Sequence, residues 1–267
     1  MLPVFIFDTD ILDQLEEKKD KRVHFIHEAL TGISNTLVRS GSALRAMHGA
    51  PLPCFKALTE EYNISAVYTN HDYEPYAIQR DNKVAAFLKT KNIPLYTWKD
   101  QVIFEKGEVV KNDGTPYTIY TPYSRKWKEK LAGITIPVYN NVGLFNNFLK
   151  QLPTPVPSLS SIGLKEAPCD IVPPILDNGI AMHYDKTRDF PAMDGTTRMG
   201  VHLRFGTISI RSLVAKASAL NPILLNELVW REFYQAILWH FPHVVHGSFK
   251  KEYDRIEWRN NEREFDL

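Results

Sequence analysis

The chain has 267 residues, with 32 Lys and Arg against 31 Asp and Glu and a formal net charge of +1. With 44% apolar and 24% charged residues, it has a globular composition, which excludes a disordered or fibrous protein. Two cysteines are too few for a disulfide framework or a four-thiolate zinc site, and they predict reduced thiols in a cytoplasmic protein. No apolar run approaches the roughly 18 residues of a transmembrane helix, so a membrane partner is not expected.

Short apolar runs alternate with helical patterns through the first half of the chain. Strands are predicted at residues 4–7, 44–47, 66–69 and 95–98. Helices are predicted over 55–62 and 76–88, and a further one carries Val23, Ile26, Leu30, Ile33 and Leu37 on one face. Such alternation implies a parallel sheet covered by helices. The first run is typical of a buried strand, and a chain that opens inside one suggests missing upstream sequence.

The middle of the chain changes character. Six prolines lie between residues 153 and 174, and no periodicity survives there. Irregular segments of this length are uncommon within one compact domain. We therefore predict an α/β domain over residues 1–132, a linker over 133–180 and a helical part over 181–267.

The helical part contains two clear helices. Ser209 is a good N-cap for a helix over 210–219, and a second helix over 225–240 has a continuous apolar face. From Lys186 to Lys251 we count nine Lys or Arg against four Asp or Glu. This skew is that of a solvated surface or of a face that binds a polyanion.

The second helix also carries Glu227, Trp230, Arg231 and Tyr234 at spacings that place them on one side. This side is either an interdomain contact or the wall of a pocket. In a pocket, Arg231 can contact a phosphate, Trp230 can stack on a planar ring, and Glu227 can accept hydrogen bonds from ring N–H groups.

Two further patterns bear on ligand chemistry. Upstream, Asp194 and Gly195 form a turn that is followed by two threonines and an arginine, a weak signal for a pyrophosphate site. Downstream, three histidines are spaced by three residues, but Pro242 interrupts the helix that would align them. No metal site is predicted.

Four segments together resemble the class I photolyase and cryptochrome family. They are PVFIFDTDIL (3–12), TNHDYEPYAIQRD (69–81), RDFPAMDGTTRMGVHLRFGTIS (188–209) and NELVWREFYQAILWHFPHV (226–244). The resemblance implies an α/β plus all-α fold: an N-terminal parallel, Rossmann-like antenna domain, a long linker and a partial helical FAD-binding domain. It also implies a monomer whose partner is UV-damaged DNA.

The implied activity is that of a deoxyribodipyrimidine photolyase. In that family, light-excited reduced FAD passes an electron to a cyclobutane pyrimidine dimer, the ring splits, and the electron returns. A cryptochrome-type photoreceptor is the alternative, and a remnant that binds neither flavin nor DNA is a third. Glu227 and Trp230 face the dimer in repair enzymes, and their presence favours repair.

The resemblance also implies roles for individual residues. The residues implied to bind FAD are Tyr184, Thr196, Thr197, Arg198, Met199, Gly200, Leu224 and Arg231. The residues implied to contact DNA are Arg188, Glu227, Trp230, Arg231 and Tyr234. Glu227 and Trp230 are implied to act in catalysis, and Trp258 in electron transfer to the flavin. The resemblance alone gives Trp258 this status.

The sequence also departs from the family pattern. Gly200 stands where the family usually has a serine. The family's opening strand, with its W-x-R-R-D-L-R pattern, does not precede Met1, and the later flavin contacts do not follow Leu267. We therefore expect an inactive internal fragment with a half-built FAD site that does not retain FAD tightly. The sequence leaves open the type of a second, antenna chromophore.

Overall fold

The protein, analysed as a computed structural model, is described at residues 1–137 and 139–265. The strands are β1 (Val4–Phe7), β2 (Arg45–His48), β3 (Val67–Asn70) and β4 (Leu95–Trp98). The helices of the first half are α1 (Thr9–Leu12), α2 (Lys21–Arg39), α3 (Pro51–Glu61), α4 (Pro75–Thr90) and α5 (Tyr120–Ala132). The later ones are α6 (Asn178–Met182), α7 (Tyr184–Thr187), α8 (Gly200–Phe205), α9 (Ile210–Leu220), α10 (Pro222–His240) and α11 (Glu262–Phe265). Short 3-10 helices occupy Lys106–Glu108, Val142–Asn147, Ser160–Ile162, Pro242–Val245 and Lys251–Arg255.

The strands pair in parallel, as predicted. β1 pairs with β2 from Val4 opposite Arg45, and β3 pairs with β4 from Val67 opposite Leu95. Among the described residues, hydrogen bonds join the strands as two separate pairs. The prediction of a buried first strand is only partly right, since Phe7 is buried but Val4 is 38% exposed. A two-stranded sheet leaves edges and faces that a larger sheet would cover.

Helix α2 shows how the second half of the chain shapes the first. Its N-cap, Asp20, accepts hydrogen bonds from the backbone of its first turn. Ile33, predicted to face the core, is 50% exposed, whereas Phe25 is buried. Phe25 contacts the rings of His202 and Phe205, at centroid distances of 5.6 and 5.7 Å. The buried face of α2 is therefore wider than its apolar stripe, because α8 packs against it.

The proline-rich segment lies against α2. Leu159, Ile162 and Leu164 are buried in the core cluster that contains Phe7. The backbone N–H of Ala167 donates to His24 Nδ1 at 3.2 Å. The domain boundaries within this segment remain a prediction, but its residues form part of the core of the first half.

A second core joins α5 to the helical part. Trp127 of α5 is fully buried in one cluster with Val214 of α9 and with Val229 and Phe233 of α10. One core cluster therefore contains residues from both sides of residue 132, while the division itself stays a prediction. None of the helices in the described residues combines the length and the apolar character needed to cross a bilayer.

Candidate functional site

Helix α10 is the element that organises the candidate site. Its N-cap, Asn221, accepts hydrogen bonds from the backbone of Ile223 and Leu224, at 2.9 and 3.2 Å. The Asn221 amide also donates to Asp185 Oδ1 at 2.8 Å, and this hydrogen bond joins the start of α10 to helix α7. The apolar face of α10 is buried through Leu228, Val229 and Phe233. The opposite side carries the residues singled out from the sequence.

Trp230 lies in a row of aromatic rings. Its ring stacks on Tyr120 of α5, with centroids 3.5 Å apart and planes within 6°. Tyr234 stacks on Trp230 at 5.5 Å and 24°, and Tyr234 is 62% exposed. The predicted sharing of one side by these two residues is confirmed. The row extends from the core of the second half to solvent.

Glu227 has a partner that the sequence did not indicate. Its carboxylate forms an ion pair with Arg188, whose guanidinium also lies 3.4 Å from Asp189 and over the ring of Tyr184. The hydrogen bond to Glu227 raises the pKa of Arg188. Both partners are partly exposed, so the pair contributes at most about 1 kcal/mol. The sequence left Arg188 either a DNA phosphate or a neighbouring acid such as Asp189 or Asp185 as its partner, and here it contacts Asp189 as well as Glu227.

Arg231 departs from the predicted pocket side. Its guanidinium donates to the carbonyls of Gln101 at 2.6 Å and Leu203 at 3.2 Å. Burial lowers the pKa of Arg231, and both of these acceptors are uncharged backbone carbonyl oxygens. The long side chain turns into the protein because two backbone carbonyls there need a donor. The predicted phosphate contact of Arg231 therefore has no support in this geometry.

Glu232 is a site residue that sequence reasoning missed. Its carboxylate is 3% exposed and accepts from the backbone N–H groups of Ile103 and Phe104, at 2.7 and 2.9 Å. Trp127 Nε1 donates to the same carboxylate. Burial raises the pKa of Glu232 to about 7, although these hydrogen bonds favour the charged form. The available signal was an acid on the apolar face of a helix.

Arg231 and Glu232 act on one segment from adjacent positions of α10. Arg231 donates a hydrogen bond to the carbonyl of Gln101. Glu232 accepts hydrogen bonds from the backbone N–H groups of Ile103 and Phe104, two and three residues further along. We call this pair of residues the 231–232 clamp. It joins α10 to the chain that follows β4.

The predicted phosphate-binding segment is largely at the surface. Thr196, Arg198 and Gly200 are exposed, and Thr197 is half-buried. Arg198 has a φ of 53° and pairs with Asp194 at 2.6 Å. A Cβ at Gly200 would meet nothing within 4 Å, so the family's serine would fit there. The hydroxyls and guanidinium suit the pyrophosphate end of FAD.

The other predicted FAD contacts divide into two groups. Met199 and Leu224 are each 3% exposed, and their side chains belong to the core. Leu224 was expected to flank the flavin, but its side chain is already packed against protein. Tyr184 packs at the edge of the same core, and burial raises its pKa. Trp258 is 73% exposed, and its implied role in electron transfer stays a prediction.

Part of the excess of positive charge in the second half is compensated within the molecule. Two of its arginines pair with acids of the first half, Arg204 with Glu74 at 2.6 Å and Arg211 with Asp100 at 2.9 Å. Exposed pairs of this kind are weak individually. These two arginines thus serve contacts between the two halves of the chain, and a polyanion-binding role of the remaining basic residues stays a prediction.

A cavity of about 320 Å³ opens between the two halves. Asn70 and Asp100 line it from the carboxyl ends of β3 and β4, and Arg204 and Ser209 line it from the helical part. Open α/β sheets bind ligands at this end of their strands. Within residues 1–137 and 139–265, no group of three or more His, Cys, Asp or Glu side chains could hold a metal ion.

The comparisons with known proteins agree with the resemblance. Residues 1–141 match the family described as DNA photolyase. The chain belongs to the DNA photolyase family. Residues 224–267, which include most of α10, match the description "FAD binding domain of DNA photolyase". The α/β plus helical fold class predicted from the sequence is confirmed.

Relatives and solved structures are similar along the whole chain. A deoxyribodipyrimidine photo-lyase of Synechococcus sp. is 29% identical over 99% of this chain and 60% of its own length. A class III photolyase structure from Agrobacterium tumefaciens superposes with a TM-score of 0.77 at 21% identity, over 99% of this chain and 58% of its own. A Synechocystis cryptochrome structure gives 0.71 at 14% identity, over 100% of this chain and 61% of its own. The chain thus spans about 60% of the length of these proteins.

Proposed function

We propose that this chain carries the lesion-binding residues and part of the FAD site of a photolyase, an enzyme that repairs cyclobutane pyrimidine dimers in DNA with light and reduced FAD. The observation that carries the proposal is the Glu227–Trp230 pair on α10, within the segment that matches the FAD-binding domain. When bound, reduced and photo-excited FAD supplies the electron that splits the dimer. The named relative is a deoxyribodipyrimidine photo-lyase, which supports this activity.

The chain's own residues would divide the binding work between two ligands. Thr196, Thr197 and Arg198 would hold the pyrophosphate of FAD, because they offer two hydroxyls and a cation at the surface. Trp230 would stack on a base extruded from the duplex, on the face that the exposed Tyr234 ring now covers, so Tyr234 would have to turn aside. Glu227 would accept hydrogen bonds from the N–H groups of that base.

The electrostatics of Glu227 bear on this role. In the structure its carboxylate is held by Arg188, and both groups are partly exposed. A base that hydrogen-bonds to Glu227 shares the carboxylate with this guanidinium or displaces it. Displacement would leave Arg188 available to a neighbouring phosphate, which is the role that the resemblance implies for it.

The other parts of the proposal concern the second chromophore and the compartment. The cavity at Asn70 and Asp100 is where we place an antenna chromophore, whose type stays undetermined. Cys54 and Cys169 are free thiols, which supports a place in the cytoplasm. The likeness to a cryptochrome concerns the fold alone, and no observation favours a signalling role over repair.

DNA binding tests the proposal directly. The chain should bind a duplex that contains a cyclobutane dimer more tightly than the undamaged duplex. Trp230→Ala should weaken binding to the damaged duplex by about ten- to a hundred-fold, because one stacked base contributes ~1–3 kcal/mol. Trp239→Phe is the matched control, since Trp239 lies on the same helix but contacts Tyr73 and Lys106. Equal affinity of the wild-type chain for both duplexes would refute the proposal.

A salt series tests Arg188. If Arg188 contacts a phosphate, Arg188→Ala makes the slope of log K against log salt shallower by about 0.9. Damaged and undamaged duplexes should lose affinity alike, because phosphates carry no information about the lesion. An unchanged slope would restrict Arg188 to its pair with Glu227.

A further inference from the structure

Tyr120 occupies a fixed position at the start of α5. Tyr123 and Trp127, one and two turns further along this helix, are 2% and 0% exposed. Their burial in the core shared with α10 fixes α5 against that helix. The position of Tyr120, the first residue of α5, is therefore fixed along the axis of α10.

Tyr120 contacts one turn of α10 through both its ring and its hydroxyl. The ring stacks on Trp230, and the hydroxyl donates to the carbonyl of Asn226 at 3.0 Å. Asn226 and Trp230 are four residues apart, so the two contacts bracket a single helical turn. Burial raises the pKa of Tyr120 above its usual value, in keeping with a hydroxyl that donates.

Phe233 supports the same arrangement from the side. Its ring meets Tyr120 edge-on at 5.8 Å and 73°, and meets Trp230 at 5.7 Å and 76°. A parallel pair closed by an edge-on third ring leaves the indole little freedom to change rotamer.

We propose that Tyr120 is a positioning residue that fixes the plane of the Trp230 indole, on which the extruded base stacks. The identity of the ligand, an extruded base, rests on the proposed function. The positioning itself rests on the packing of the three rings of Tyr120, Trp230 and Phe233. An indole that is already ordered loses less conformational freedom when a base binds. Less of the favourable stacking free energy is then offset by this ordering, and the base binds more tightly. Nothing in the pattern of helix α10 alone indicates this residue.

Three variants separate the ring from the hydroxyl. Tyr120→Leu and Tyr120→Met remove the ring while they keep apolar volume, and Tyr120→Phe removes only the hydroxyl. Tyr117→Leu is the matched control, because Tyr117 lies in the same segment but packs edge-on against Tyr123 at 6.2 Å. Far-ultraviolet circular dichroism identifies the folded variants, and the two ring-removing substitutions guard against a failure of either one to fold.

The first readout needs no ligand. The fluorescence of Trp230 is taken as the difference between each protein and the same protein with Trp230→Phe. We expect acrylamide to quench this difference signal at least about twice as efficiently in the ring-removing variants as in the wild type, because the covered face of the indole becomes accessible. Tyr120→Phe and Tyr117→Leu should match the wild type. Unchanged quenching in Tyr120→Leu or Tyr120→Met would overturn the proposal.

The second readout is affinity for the dimer-containing duplex. We expect a loss of about five- to ten-fold in the ring-removing variants, within the range that one stacked base contributes. Binding to undamaged DNA should stay unchanged, and Tyr120→Phe should stay within about two-fold. An equal loss in Tyr117→Leu, or a loss on both duplexes, would reduce Tyr120 to a structural residue. If the wild-type chain does not distinguish the duplexes, the proposed function fails, and the quenching result still decides the positioning role.

Discussion

Replacing Glu232 by glutamine probes a carboxylate that is buried between two parts of the fold. Two backbone amides and the Trp127 indole donate to it. Glutamine offers one acceptor oxygen and turns an NH₂ group toward these three donors, so at least one hydrogen bond is lost. The substitution also removes a group whose pKa is raised from 4.5 to about 7 by burial.

The magnitude follows from this change in pKa. One pKa unit corresponds to about 1.4 kcal/mol, so the rise from 4.5 to about 7 corresponds to about 3 kcal/mol. The folded state holds the proton more tightly than the unfolded state does. The stability that Glu232 contributes is therefore fully present below pH 4.5 and is lost as the pH rises through about 7. Between about pH 5 and about pH 8 the loss is about 2–3 kcal/mol.

Urea unfolding, followed by tryptophan fluorescence at several pH values, measures this effect. The difference in unfolding free energy between the wild type and Glu232→Gln should shrink by about 2–3 kcal/mol from about pH 5 to about pH 8. Glu129→Gln, which alters an exposed carboxylate on α5, should run parallel to the wild type. A difference between wild type and Glu232→Gln that is constant with pH would show that Glu232 is charged throughout, and would refute the reasoning.

Three further experiments test other contacts. Arg231→Met removes two hydrogen bonds to backbone carbonyls and should lower the unfolding free energy by about 2–3 kcal/mol; an unchanged urea midpoint would contradict those contacts. Gly195→Ala should lower the free energy of unfolding by about 1–3 kcal/mol, because its Cβ would lie 2.8 Å from a backbone oxygen. Gly200→Ala should change it by no more than about 0.5 kcal/mol, because a Cβ there meets nothing within 4 Å. Thermal unfolding that ranks the two variants in the reverse order would refute this. A thiol reagent should modify the partly exposed Cys169 at least about ten-fold faster than Cys54, which is buried and whose pKa burial raises; equal rates would contradict the burial of Cys54.

The sequence predicts the four strands and most of the long helices. β4 has the predicted bounds, and β2 and β3 are shifted by one residue, because short apolar runs between helices have few alternative placements. Helix α3 begins at Pro51, four residues before its predicted start, since proline interrupts a helix but suits its first turn. Helix α5 was not predicted at all. Its opening residues are Tyr, Thr, Pro and Tyr, and the burial of its aromatic side chains against α10 stabilises it instead.

The candidate site shows the same limit at the level of side chains. Helical spacing correctly placed Trp230 and Tyr234 on one side, because that relation depends only on the geometry of the helix. The same spacing misplaced the guanidinium of Arg231, whose long side chain follows acceptors on a distant segment. The roles of Glu232 and Tyr120 depend on residues about a hundred positions away, and no local pattern contains that information.

The 231–232 clamp bears on whether the chain can be divided. If it is split in the proline-rich segment, the C-terminal piece retains a carboxylate and a guanidinium whose hydrogen-bonding partners lie on the other piece. The N-terminal piece would in turn expose Trp127 and the aromatic rings of α5 to water. We therefore expect that neither piece folds on its own and that each completes the buried contacts of the other. Soluble, native-like material should arise by fragment complementation when the two are refolded together.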